Sequence, residues 1–427
     1  MCFSDLKEKC YMAHSTHSEI IGIIGAGAAG LTAAETLKNK GYTNVTVLEQ
    51  ADQAGGKCCS ITYEGRSYEL GAGVIASSDY TVMDMVRKYQ VPIERADFGK
   101  SLVISGATGQ PIEEGDSFTT RLLHGRQLFS TYRKLRSKYT HIDEPGWLKV
   151  DPDLCVPFSE WVKKNNLPLV AKTFATTFTG FGYGYYADIP AAYVVKYYAW
   201  SMIIAFAKRQ IYKFPNGIQS LWKTVAQHQQ VVYNTKITNL KRGSSIQVET
   251  NHGAYKFDKL IITTPLDEAL QWLDASHEET ELFSKIQHCD YRVYAVLLNN
   301  FPKKCGFLPD NFTAARAGHP VFWYQRYNDS NLYTFYTLGD WKISDEEVLK
   351  NIETVVQQLG GKIERVHTKR SWKYFPHVNS EAMQAGYFDK LDKLQGESNT
   401  YYVGELLNFS SVGFTSAYAA NLVERFF

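Results

Sequence analysis

The stretch "SEIIGIIGAGAAGLTAAETLKNKGYTNVTVLEQ", residues 18–50, has the order of a strand, a glycine turn, a helix and a second strand. The apolar run Ile20–Ile24 predicts the first strand, and Val45–Glu49 predicts the second. Between them, GxGxxG opens an alanine-rich helix that reaches Lys40. The acidic residue Glu49 ends the second strand, where its carboxylate can accept hydrogen bonds from a ribose diol. Strand, glycines, helix and acid together predict a dinucleotide-binding unit, with phosphates at the N-terminus of the helix.

Two further glycine-rich stretches favour FAD over NAD as the dinucleotide. "AGGKCCS", residues 54–60, places a glycine pair just beyond the ribose-binding acid, an arrangement typical of FAD enzymes. "YELGAGVIA", residues 68–76, offers small residues where a flat ring can lie against the backbone. A glycine-rich hairpin is the alternative interpretation of the second stretch.

The pattern of strands returns twice later in the chain. Residues 231–265 alternate apolar and polar positions and end in the apolar strand of "KLIITTP". At the C-terminus, Tyr401–Val403 predicts a strand and Thr415–Phe427 an amphipathic helix. The N-terminus of that helix is suited to a phosphate or a flavin, while a plain helix packed on a sheet is the alternative.

Composition narrows the class of protein. The chain has 427 residues, which predicts two or three domains, and 44% hydrophobic with 21% charged residues is typical of a globular protein. Basic residues are scattered and the net charge is +2, so we expect no nucleic-acid partner. The seven cysteines have no metal-ligand spacing, and we expect no bound metal and free thiols in the cytoplasm. We expect neither a secretory signal nor a membrane-spanning segment.

The motifs resemble those of the flavin amine oxidase superfamily, through "GAGAAG", Glu49, "AGGK", "KLIITTP" and "YYVGE". "FTGFGYGYYADIPAAYVVKYY", "SWKYFPHVNSE" and "LVERFF" are similar to its small group of FAD-dependent polyenoic fatty acid isomerases, which move double bonds in linoleate-type acids. The sequence departs from many members at Ala28, where they have proline. The resemblance implies that FAD contacts Gly25, Ala26, Gly27, Ala28, Gly30, Glu49, Gln50, Gly56, Lys57, Gly71, Ala72, Val74, Lys236, Gly404 and Glu405.

The stretch "TFTGFGYGYYADIP", residues 177–190, is predicted to be a turn-rich segment within a helical insertion, followed by one helix over residues 191–207. Its rings predict core packing when taken alone. The resemblance implies instead that they line a channel for an acyl chain, and the substrate-contacting residues are then Phe178, Phe181, Tyr183 and Phe206. Helix 191–207 is also a candidate for peripheral contact with a membrane surface.

The sequence contains no catalytic cluster beyond the implied flavin, although His377 is a candidate. The resemblance implies that a hydride passes from a polyunsaturated fatty acid to flavin N5 and returns to another carbon, giving a conjugated diene. Lys100 is the first choice for anchoring the substrate carboxylate, followed by Arg121 and Arg126, although all three also suit a solvated surface. Two alternatives are an FAD-dependent amine oxidase or desaturase of the same superfamily, and an FAD-bearing binding protein without turnover.

The predicted fold is α/β, with a Rossmann-like FAD-binding domain, a helical insertion and a second, mixed-sheet substrate domain. The FAD-binding domain is expected to comprise residues 1–94, 213–267 and 396–427. A helical domain over 95–212 is expected to cap the substrate channel, and a sheet domain over 268–395 to supply its other wall.

Overall fold

The computed structural model describes residues 18–97, 101–112, 118–302 and 305–427. The strands of these residues are β1 Ile21–Ile24, β2 Val45–Leu48, β3 Ser60–Tyr63, β4 Arg66–Glu69, β5 Ile75–Ala76, β6 Glu94–Arg95, β7 Leu102–Val103, β8 Ile211–Lys213, β9 Gln230–Val232, β10 Ile237–Lys241, β11 Ile246–Thr250, β12 Gly253–Phe257, β13 Lys259–Ile262, β14 Gln287–Asn299, β15 Gly306–Phe307, β16 Pro320–Tyr324, β17 Leu332–Gly339, β18 Lys362–His377 and β19 Thr400–Tyr402. The α-helices are α1 Ala28–Asn39, α2 Tyr80–Lys88, α3 Phe118–Arg126, α4 Arg133–Arg136, α5 Phe158–Asn165, α6 Pro168–Gly180, α7 Ala191–Tyr197, α8 Trp200–Ala207, α9 Gln219–Ala226, α10 Leu266–Ala269, α11 His277–Phe283, α12 Asp345–Gln358, α13 Ser380–Gln384, α14 Tyr387–Lys393 and α15 Val412–Phe426. A π-helix, Gln127–Tyr132, joins α3 to α4.

A parallel sheet in the order β19-β13-β1-β2-β9 lies at the centre of the nucleotide-binding region. Each neighbouring pair is parallel, and β1 is buried along its whole length between β13 and β2. A strand buried on both faces must be apolar throughout, as the run in β1 is. Helices α1 and α15 pack against each other. The predicted Rossmann-like α/β fold is confirmed.

A second, mixed sheet has the order β18-β14-β17-β16-β15-β7. Its pairs are antiparallel except for β15 with β7. Alternate side chains of β14 enter two different cores, with Val293 and Ala295 on one face and Tyr294 and Val296 on the other. Helix α12 contributes Val348, Ile352, Val355 and Val356 to the second core. Helix α12 therefore covers one face of this sheet, and the predicted mixed sheet is confirmed.

The aromatic stretch 177–190 is only partly a turn, because α6 continues through Gly180. A Cβ built on Gly180 would lie 2.9 Å from the ring of Phe307, so this glycine permits close packing of a helix. Gly182 and Gly184 have φ of +89° and +87°, which L side chains rarely adopt. The prediction of a turn-rich segment is thus wrong for residues 177–180, which are helical, and right for the residues that follow.

Residues 191–207 form two helices, α7 and α8, and the prediction of one helix is wrong. At the break, the carbonyl oxygen of Tyr198 accepts a hydrogen bond from the Tyr132 hydroxyl at 3.1 Å. The Tyr198 ring stacks on Phe174 with 3.6 Å between centroids. These partners come from other helices, so the local sequence carries no sign of the break. Every residue of α7 is buried, and contact of α7 with a membrane surface is excluded. Within the described residues, no helix combines the length and apolar character needed to cross a membrane.

Candidate active site

One continuous cavity of about 780 Å³ opens where the parallel strands end. Its lining includes residues that follow β1, β2, β13 and β19, among them Gly25, Glu49, Thr263 and Gly404. Carboxyl ends of parallel strands meet at one edge of a sheet, and ligands of open α/β folds bind there. Residues far apart in the chain are thereby brought to a single cleft.

Glu49 connects the end of β2 to the glycine turn. Its carboxylate accepts hydrogen bonds from the backbone N–H of Ala26 at 2.6 Å and of Ala51 at 2.8 Å. The side chain is buried yet still lines the cavity. Gly27 and Gly55 pair as a short parallel bridge, which brings a second backbone segment alongside the turn. The cleft therefore offers backbone groups and one oriented carboxylate, which are the features that a nucleotide requires.

Two buried hydroxyl groups in the cavity also indicate a ligand. Thr264 and Ser410 line the cavity, and within the described part of the chain neither side-chain oxygen has a hydrogen-bond partner. Buried polar groups in native proteins are normally paired, so a bound molecule is the natural partner. Val412, the first residue of α15, lines the same cavity, as does the ion pair of Lys57 and Glu405 at 2.9 Å. These groups fit a dinucleotide that carries a flat ring.

Another part of the cavity wall is formed by aromatic rings. They come from the segment after α6 and from the mixed sheet: Phe181, Tyr183, Tyr291, Phe322, Tyr324, Tyr336, Trp372 and Tyr374. Phe181 packs edge-on against Phe322 with 5.8 Å between centroids, and Tyr291 stacks on Tyr374 at 5.2 Å. Such a lining suits an elongated apolar molecule held beside the nucleotide cleft.

Most of the residues predicted as site residues are brought together here. Those that line the cavity are Gly25, Gly27, Ala28, Glu49, Gln50, Gly56, Lys57, Gly71, Ala72, Val74, Phe181, Tyr183, Lys236, Gly404 and Glu405. Ala26 and Gly30 do not line it, but both support the glycine turn: Ala26 donates to Glu49, and Gly30 lies against Gly25.

Phe178, Phe206 and Arg126 are not among the residues that line the cavity. Phe178 lies about one helical turn before Phe181, and its ring is fully buried among other rings, including Phe375 at 5.9 Å. Phe206, on α8, packs against a small core that contains Met202. Arg126 is exposed at the end of α3. Lys100 and the side chain of Arg121 lie outside the described residues.

Sequence reasoning missed the polar and aromatic residues that the mixed sheet contributes. Arg326, which follows β16, forms a buried ion pair with Glu69 at 3.1 Å inside the cavity lining. Phe322 and Tyr336 line the cavity from neighbouring strands. Alternate side chains of β16 and of β17 point to the same face of the sheet, and the sequence shows which residues are grouped in this way. It does not show which of the two faces meets the cavity.

His377, the candidate for a catalytic histidine, is not among the cavity-lining residues. It is buried, stacks on Phe375 at 5.0 Å, and lies 2.8 Å from the Phe375 carbonyl oxygen through Nδ1. Burial lowers the pKa of His377 from 6.5 to about 4, and the hydrogen bond to Phe375 opposes this only in part. The residue is therefore a neutral part of the core.

This burial predicts a specific loss of stability in acid. Between about pH 6.5 and pH 4 the unfolded chain binds a proton at His377 that the folded chain does not. Stability must fall as the pH falls through this window, by about 3 kcal/mol. Urea denaturation across the window should show a shallower pH dependence for His377→Leu than for the wild type. The control is His252→Leu in the exposed turn after β11, and an unchanged slope in His377→Leu would contradict the assignment.

Comparisons with known proteins agree with this geometry. The family of flavin containing amine oxidoreductases matches residues 28–420. The crystal structure of a CLA-producing fatty acid isomerase from P. acnes has a TM-score of 0.88 at 32% identity, covering 96% of this chain and 99% of that chain. The polyenoic fatty acid isomerase of Ptilota filicina is 22% identical over 480 residues, covering 96% of this chain and 95% of that protein. The beta-cyclopiazonate dehydrogenase of Aspergillus flavus is 25% identical over 423 residues, covering 91% of this chain and 89% of that protein.

Proposed function

The chain belongs to the family of flavin containing amine oxidoreductases, and we propose that within this family it isomerises the double bonds of polyunsaturated fatty acids. It is a flavin-dependent enzyme of the amine oxidase superfamily, and its cofactor is FAD. The proposed fatty acid isomerase activity is supported by the similarity to two fatty acid isomerases over nearly the whole chain. The observation that carries it is the ring-lined compartment continuous with the nucleotide cleft.

The proposed roles of FAD and of the protein side chains follow from the residues of the cavity. FAD supplies a hydride acceptor and donor at N5. The glycine turn and Glu49 hold the nucleotide, and Thr264 and Ser410 offer it hydroxyl groups. Phe181 and Tyr183 form one wall for an acyl chain and exclude water from the reacting carbons. A ring face also stabilises positive charge on an allylic carbon, by roughly 1–2 kcal/mol in a desolvated site.

Several carboxylates of the cavity lining are compensated by cations, which favours a fatty acid over an amine: Asp267 pairs with Lys373, and Glu405 pairs with Lys57. An amine substrate is cationic; ring faces can hold either substrate, but an uncompensated carboxylate would favour the amine. Glu69 lines the cavity, but its carboxylate is already paired with Arg326 and accepts hydrogen bonds from Ser60 and Ile218. A fatty acid instead needs a cation for its carboxylate. Lys100 remains the proposed anchor, and Arg370, whose guanidinium lies over the Trp372 ring at 4.9 Å, is a cation of the cavity lining.

Anaerobic incubation of the purified yellow protein with linoleate is the decisive experiment. An isomerase returns each hydride to its substrate, so we expect many turnovers to a conjugated diene under argon with the flavin remaining oxidised. One stoichiometric reduction of the flavin that then stalls would indicate an oxidase or dehydrogenase. A flavin spectrum that responds to neither linoleate nor amines would indicate a binding protein.

Phe181→Ala tests the wall of the proposed acyl site. Removal of a ring from an apolar binding wall typically costs about 1–3 kcal/mol, so we expect kcat/KM for linoleate to fall by roughly tenfold or more. Flavin content should not change, because Phe181 lies on the ring-lined side of the cavity. The matched control is Tyr255→Ala, which removes a half-buried ring from β12, away from the cavity. Equal kinetic effects in the two variants would contradict the proposed wall.

A further inference from the structure

The segment from α3 through the π-helix to α4 has an unusual charge pattern. Between Phe118 and Ile142 the sequence has six lysines and arginines and no aspartate or glutamate. A helical segment that combines such a run with apolar residues is typical of a peptide that lies on a membrane surface. The composition alone does not decide this, since a buried basic helix would show the same pattern.

The inner side of this segment is fixed to the helical region. Tyr132 is fully buried, and Arg136 is buried in an ion pair with Asp143. The side-chain oxygen of Gln127 accepts hydrogen bonds from the backbone N–H groups of Leu169 and Val170 at the start of α6, at 3.0 and 3.3 Å. The segment is therefore a packed part of the fold, with one defined outer side.

The outer side exposes large apolar residues next to cations. Leu122, Leu123 and Phe129 are 62%, 55% and 52% exposed. These are three of the eight exposed large hydrophobic residues in the described chain, and they fall within eight consecutive positions. Arg126 and Arg133 are exposed on the same segment.

Trp200, at the start of α8, extends this surface. The Phe129 ring packs perpendicular to the Trp200 ring with 5.5 Å between centroids, and the Arg133 guanidinium lies over the Trp200 ring at 5.2 Å. An aromatic pair with an arginine is the arrangement that settles at the boundary between lipid headgroups and acyl chains. We call the resulting patch the α3–α4 surface. It consists of Leu122, Leu123, Arg126, Phe129, Arg133 and Trp200.

We propose that the α3–α4 surface docks on an anionic lipid bilayer. Leucine and phenylalanine side chains gain free energy by entering the acyl region, and the surrounding cations gain by lying near lipid phosphates. A nucleic acid would pair with the cations but leave the apolar side chains exposed. The proposal does not depend on the reaction in the cavity, and it assigns the membrane contact to a surface other than the buried helix α7.

Vesicle flotation of the FAD-loaded full chain tests the proposal. We expect co-flotation with vesicles of equal parts phosphatidylcholine and phosphatidylglycerol, little with phosphatidylcholine alone, and release as the salt concentration rises. The double variant Leu122→Ser/Phe129→Ser should bind roughly tenfold more weakly or worse. The matched control Trp341→Ser removes an equally exposed ring, 55% exposed, from the turn before α12 and should bind as the wild type does.

We expect each variant to fold, because all of the substituted residues are exposed. Flavin content and the thermal midpoint check this for each variant. The proposal is overturned if the wild type ignores anionic vesicles, or if the double variant and Trp341→Ser bind equally well. Where the wild type does not bind vesicles, light scattering can instead show an oligomer that the double variant loses. In that case the α3–α4 surface is a contact between copies of this chain.

Discussion

Gly30→Ala is expected to eliminate most of the bound FAD, although alanine favours helices more than glycine does. Gly30 lies in the first turn of α1, where the helix crosses the end of β1. A Cβ built there would lie 1.9 Å from the carbonyl oxygen of Gly25 and 3.2 Å from the Thr263 hydroxyl. The first contact is with backbone, so no side-chain rotation can relieve it. The helix must move away from the strand, and the phosphate-binding turn must move with it.

The expected cost is about 3 kcal/mol, the upper end of what overpacking usually causes, and it falls directly on the cofactor site. Flavin absorbance per mole of desalted protein should drop strongly, and the thermal midpoint should fall. Gly125→Ala is the matched control, because Gly125 is also helical and, among the described residues beyond its own stretch of helix, no heavy atom lies within 4 Å of its built Cβ. That variant should be neutral or more stable by up to about 1 kcal/mol. Equal flavin content in the two alanine variants would contradict the proposed role of Gly30.

The nucleotide cleft is predictable from the sequence for a physical reason. The glycine turn, the apolar strand and Glu49 act through backbone geometry that is local in sequence, so the pattern in residues 18–50 predicts strands and helix within one or two residues of β1, α1 and β2. Helix α12 also begins at a local signal, because the Ser344 side chain accepts a hydrogen bond from the backbone N–H of Glu347. Local signals suffice wherever the constraint itself is local.

The helical region shows where local signals fail. A glycine between large rings resembles a turn, yet Gly180 is helical, and glycine is required there because the ring of Phe307, from β15, occupies the space where a Cβ would be. The break between α7 and α8 is formed with Tyr132, more than sixty positions away. Burial of His377 and the separation of Phe178 from the cavity also follow from which rings meet in three dimensions. None of these contacts produces a periodic pattern of residues in the sequence.

Arg326→Met is expected to destabilise the protein by about 3–5 kcal/mol near neutral pH, the usual effect of removing one partner of a buried ion pair. Arg326 and Glu69 are 8% and 6% exposed, and they join β4 to the mixed sheet. Burial already raises the pKa of Glu69, and the charge of Arg326 opposes that shift. Without Arg326, Glu69 becomes a buried carboxylate with no cation, and its pKa must rise further.

The pH dependence and a double variant distinguish this mechanism from simple loss of packing. A carboxyl group whose pKa is raised by folding contributes most stability below its unfolded pKa and loses it as the pH rises through the folded pKa. The deficit of Arg326→Met in urea denaturation should therefore be larger at about pH 8 than at about pH 5. Arg326→Met/Glu69→Gln should recover much of the loss, because no unpaired charge remains. The exposed pair of Arg66 and Asp329 provides the control, and Arg66→Met should cost less than about 1 kcal/mol. If the single and double variants are equally unstable at both pH values, the buried charge of Glu69 is not the cause.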